Sequence, residues 1–226
     1  MTRRTNARLA GITLLLYIMA GIAHMMLFSQ ATGGAEGTPA TLASISRHAS
    51  LVSVTIILTL FEAACALMLG VTLHALTRDV DPDLAMLALC FRVGEGVITA
   101  FSSVRLLALL SVASVAAGVA GPDAVAANAL GGLLLRVGGM GTISSILFAA
   151  GSMLFCYLFL RGRSIPVPLA WLGLLVSVAW VIGFPLQLMG LLGGPVTYIM
   201  WIPMALFEVA FAFWLILKGV ATPAIR

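Results

Sequence analysis

What this sequence has least of is charge. Only 9% of its 226 residues are Asp, Glu, Lys or Arg, against roughly 25% in soluble domains. A water-soluble fold of this length cannot cover its surface with so few ionic groups. Lys and Arg outnumber Asp and Glu by 12 to 8, and no basic patch is interleaved with aromatics, so nucleic acid is excluded as a partner. Cysteine is sparse too. Cys65, Cys90 and Cys156 all fall in apolar runs and none has a CxxC neighbour, which excludes a disulfide framework or a zinc centre and reads as three small core residues. HExxH, DxxD and Gly-rich phosphate-binding patterns are missing, as is any Ser/His/Asp or Cys/His set at one depth. No catalytic residue and no metal ligand is assigned. A bis-His haem would need facing histidines at matched depth, whereas His24 and His48 read as near one surface and His74 as near the other, so no cofactor is expected.

What the sequence has in abundance is apolar length. Hydrophobic residues make up 62% of it, and a spanning helix needs about 20 mainly apolar residues to cross ~30 Å of hydrocarbon. The pattern predicts an all-α transmembrane bundle in one domain, with six spans near residues 9–28, 49–76, 84–107, 137–160, 168–189 and 196–218. A polar loop is expected up to His48. Thr77–Asp83 reads as a hydrophilic turn, with Pro82 and its neighbouring aspartates suited to a helix start. Residues 109–135, rich in Ala and Gly and broken at Gly121-Pro122-Asp123, either extend two helices as a hairpin or lie in the interface. The N-terminal run Leu9–Phe28 follows a basic segment, as in a signal peptide, but exceeds the ~7–15 residues of a signal core and is read as a retained first span.

The placement of basic residues sets the expected orientation. With alternating spans, Arg3, Arg4, Arg8, Arg78, Arg161, Arg163, Lys218 and Arg226 share one side, opposite Arg47, so both termini are expected in the cytoplasm. Trp171, Trp201 and Trp214 lie toward span ends, as belt residues do.

Charges inside spans are costly, by about 3 kcal/mol on insertion scales, and seek partners in the bundle interior. Glu62, Glu95 and Glu208 each fall about halfway along a span, and Arg92 lies one turn from Glu95 at i,i+3. These four are the candidate buried polar network. Glu62, Ala66 and Gly70 share a helix face, as do Arg92, Gly96, Thr99 and Ser103, and Gly138, Thr142, Ser145, Ala149 and Ser152; small residues allow close helix packing. Tyr17 and His24 on the first span, Thr99 on the third and Gln187 on the fifth are candidate contributors. Arg105 and Arg136, near span ends, are expected to extend toward headgroups. Three acids against one arginine leave excess negative charge in a poor dielectric. Charge balance then requires a proton on a glutamate or a bound cation.

The segment RLAGITLLLYIMAGIAH, the segment LALCFRVGEGVITA with its Phe91-Arg92-x-x-Glu95 core, and the closing run from Leu206 to Val220 resemble the bacterial integral membrane proteins grouped as domain of unknown function 4386. The resemblance covers nearly the whole chain in order. It implies a multi-helix bacterial membrane protein and transfers no catalytic or binding residue. The chain is therefore expected in a bacterial plasma (inner) membrane, in contact with lipids, with a homo-oligomer left open. Three functional readings follow: a proton- or cation-responsive transporter or sensor of a small solute, a non-catalytic scaffold whose polar layer is structural, and an intramembrane enzyme or redox protein.

Overall fold

A computed structural model describes residues 2–137, 140–193 and 195–223. Among these are eight α-helices and no strand: α1 (Arg3–Thr32), α2 (Thr38–Arg47), α3 (Ala49–Thr77), α4 (Pro82–Ala116), α5 (Pro122–Arg136), α6 (Met140–Arg161), α7 (Val167–Leu188) and α8 (Pro195–Leu217). Six stretches are long and apolar enough to cross a membrane: Arg3–Thr32, Ala49–Thr77, Pro82–Ala116, Pro122–Arg161, Val167–Leu188 and Ile199–Leu217. The chain is an all-α polytopic bundle.

The exterior explains why. Ile12, Leu16, Met19, Ile22 and Met26 run along α1 at helical spacing and all are exposed. A row of that kind is unfavourable in water and suits hydrocarbon, where every backbone polar group must instead be satisfied within a helix. Threonine hydroxyls follow the same rule. Thr55, Thr59 and Thr72 donate to the carbonyls of Leu51, Thr55 and Met68, four residues back, at 2.8–2.9 Å.

One element differs from the expected layout. The segment before His48, expected as loop, contains α2. Pro39 in its first turn favours helix initiation, and Leu42 and Ile45, three apart, give it an apolar face that is buried. Residues 109–135 form a helical hairpin: α4 continues to Ala116, and α5 returns after Gly121, whose φ of 66° suits glycine. Gly138, placed by sequence on the small-residue face of the fourth span, and Arg226, counted among the cytoplasmic basic residues, lie outside the described residues.

The chain divides into two compact units. One comprises Met1–Tyr17, Ala64–Val97 and Thr142–Arg226; the other comprises Ile18–Ala63 and Ile98–Gly141. In the first unit the α3–α4 turn is fastened from two helices. Asp81 caps α4 through its Oδ1, 3.1 Å from the Leu84 N–H, and its Oδ2 accepts from Arg161 Nη1 at 2.9 Å. Arg3 donates to the Leu76 carbonyl at 2.8 Å, near the C-terminus of α3, and pairs with Asp79 at 3.2 Å. Two arginines read as orientation signals therefore also have local structural partners. In the second unit, Ala31, Leu42, Ile45, Val52, Leu109 and Ala113 form a separate apolar core. Packing of α2 on α5 depends on Gly131, where a Cβ would sit 2.6 Å from a methyl of Leu42.

Candidate buried polar site

The first unit holds a buried ion pair. Arg92 and Glu95 are on α4, one turn apart, and pair at 2.8 Å with 2% and 0% side-chain exposure. This pair lies within one helix, so other residues must tie it to its neighbours. From α1, the Tyr17 hydroxyl donates to Glu95 Oε1 at 2.8 Å. From α6, the Ser144 hydroxyl reaches the Glu95 carbonyl at 3.5 Å. The guanidinium lies over two rings, 4.9 Å from the centroid of Phe148 and 5.7 Å from that of Tyr17, and a desolvated cation is attracted to such faces. Those rings are parallel, with centroids 6.3 Å apart.

The arginine fits because its neighbours lack side chains. A Cβ on Gly70 of α3 would come 3.0 Å from Arg92 Cβ, and one on Gly151 of α6 would come 3.2 Å from Arg92 Cδ. Small residues on α3 and α6 thus open a slot for the largest fully buried side chain among the described residues. The aromatic contacts continue from Phe148 to Trp180 at 5.8 Å, and from Trp180 to Phe184 and Trp201 at 4.8 and 4.5 Å. The Trp180 indole N–H donates to the Met200 carbonyl at 3.0 Å, three residues before Pro203, which lies inside α8.

Glu208, on α8, stands differently. It lines a cavity of about 30 Å³ together with Arg92, Ser152, Cys156 and a set of phenylalanines. Its Oε1 is enclosed and has no hydrogen-bonding partner among the described residues, and the same holds for Arg92 Nε. Arg92 is already balanced by Glu95, so Glu208 adds an acid to a region whose one guanidinium has a carboxylate partner.

Glu62 belongs to the second unit, where it has its own base: His24 Nδ1 lies 2.5 Å from Glu62 Oε1, with side-chain exposures of 35% and 8%. Thr99 is buried in the same unit. Gln187 is half-buried in the last turn of α7. Arg105 is half-buried and donates from Nη1 to the Leu134 carbonyl at 3.1 Å. Of the cysteines, Cys65 and Cys156 are buried as expected, whereas Cys90 is exposed, because it falls on the outer face of α4 beside exposed Leu87 and Val93. Among the described residues no group of three or more His, Cys, Asp or Glu could hold a metal ion.

Sequence reasoning named Tyr17 but missed Phe148 and Trp180. Phe148 neighbours Ser145 and Ala149 on the small-residue face of α6, and Trp201, read as a belt residue, contacts buried Trp180. The usable signal was the alternation of small and aromatic side chains on α6 beside a helix carrying a buried arginine.

A family model described as "Domain of unknown function (DUF4386)" matches residues 9–219. No curated protein and no solved structure matches the chain. The chain belongs to the DUF4386 family.

Proposed function

We propose that this family member is a proton- or cation-responsive membrane protein, a transporter or sensor of a small solute, with Glu208 as the responsive group. One observation carries the reading: an enclosed carboxylate oxygen without a partner, on a cavity whose guanidinium is already paired. An unpaired ionised carboxylate in a low-dielectric interior is very costly. Glu208 therefore exchanges a proton or accepts a cation, and either event changes the charge between α4, α6 and α8. By this reading the protein resides in a bacterial plasma membrane with both termini in the cytoplasm.

The test is titration of the purified protein in nanodiscs. Glu208→Gln should remove proton uptake or cation binding seen in the parent. If Glu62→Gln, Glu95→Gln and Glu208→Gln all leave both unchanged, the reading fails.

A structural role is favoured for a different part of the site. Arg92 and Glu95 are enclosed and paired, and half-buried Tyr17 donates to Glu95, which suits a fastening between α1 and α4 more than a conduit. A scaffold or accessory subunit would need only this part.

A further inference from the structure

We infer that the species exchanged at Glu208 is a proton, shared with one or two water molecules, and that alkali and divalent cations are refused; this rests on Glu208 being the responsive group. The cavity of about 30 Å³ has room for one or two waters, since ~10–15 Å³ of such space suffices for one.

Its lining chooses between water and a metal ion. A hard cation takes about six oxygen ligands. Of the residues lining the cavity, Glu208 and Ser152 are the ones with side-chain oxygens; the others are Arg92, Cys156, Leu14, Leu69, Leu73 and five phenylalanines. A dehydrated cation would therefore lose most of its ligands and face a guanidinium besides. An anion would meet Glu208 itself, with Glu95 close behind Arg92. Water suits both unpartnered groups, accepting from Arg92 Nε and donating to Glu208 Oε1, with Ser152 as a third partner. The charged and titratable groups facing the site are Arg92 and Glu95 on α4, Tyr17 on α1 and Cys156 on α6, and Arg92 and Glu95 already neutralise each other. A proton on Glu208 then leaves the region uncharged with no need of a metal.

Infrared spectroscopy of the protein in nanodiscs, in H2O and D2O, tests this. The parent should show the carbonyl stretch of a protonated carboxyl, shifted on deuteration. Glu208→Gln should lose that band, and Glu208→Asp, which keeps the acid, should retain it at a displaced frequency. Lithium, sodium, potassium or magnesium at constant pH should leave the parent band unchanged. If any of these ions diminishes the band in the parent but has no effect in Glu208→Gln, a cation competes for the site and the proton-only inference is overturned, while Glu208 remains the responsive group. If the band survives in Glu208→Gln, or never responds to pH in the parent, Glu208 is not that group and both readings fall.

Discussion

At the residue scale, the consequence of burial is that partners cannot be removed singly. Arg92→Met leaves Glu95 enclosed without its cation, and breaking a buried pair in this way costs about 3–5 kcal/mol. The expected outcome is a large fall in thermal unfolding midpoint in detergent. Arg92→Met combined with Glu95→Leu should recover much of that loss, because two apolar side chains impose no unpaired charge. A double variant no more stable than Arg92→Met alone would contradict the pairing. Tyr17→Phe is milder: it keeps the ring beside Phe148 and removes the hydrogen bond to Glu95, worth roughly 1.5–3 kcal/mol for a charged acceptor. Arg92 and Glu95 were legible as a pair from i,i+3 spacing alone. The His24–Glu62 pair was not. Its partners are 38 residues apart, and periodicity places each on a helix without fixing which residue of the neighbouring helix stands opposite.

At the scale of elements, the long helices were legible and the short ones were not. A run of twenty apolar residues signals a span by itself, whereas α2 has ten residues and gains its stability from tertiary burial. Its apolar pair, Leu42 and Ile45, carries too little periodicity to stand out from a polar segment. The contact that holds it is the approach of Leu42 to Gly131. Gly131→Leu should therefore loosen α2 from α5, with overpacking costing about 1–3 kcal/mol. Amide exchange across residues 38–47 is the measurement, and at least a tenfold acceleration is expected, equivalent to about 1.4 kcal/mol. Unchanged exchange would mean that α2 is held elsewhere. The α3–α4 turn offers a smaller effect: Asp81→Ala removes a helix cap and the acceptor of Arg161, with about 1 kcal/mol expected for the cap, read from the unfolding midpoint.

At the scale of the whole molecule, composition decided the fold class, because so little charge leaves no soluble alternative. The extent of the helices was harder to read. With a rise of 1.5 Å per residue, the 35 residues of α4 amount to about 50 Å of helix, more than the ~30 Å of hydrocarbon requires. Hydropathy ended the third span near residue 107 because alanine and serine dilute the apolar signal beyond it, although neither breaks a helix. The expected orientation makes its own claim. Single cysteines introduced in place of Thr2 and Thr222, in a chain with its native cysteines replaced, should react with a membrane-impermeant maleimide only after the cytoplasmic face is opened, and one in place of Arg47 should react in intact cells. Labelling in the reverse sense would invert the topology.

The uneven exposure of the three cysteines has a practical outcome. Cys65 and Cys156 are buried while Cys90 opens outward, two positions before Arg92 on the same helix. A lipophilic thiol reagent would find one preferred attachment point. A fluorine or nitroxide tag placed there could follow the environment of α4 while acid is added, without any change to the native sequence.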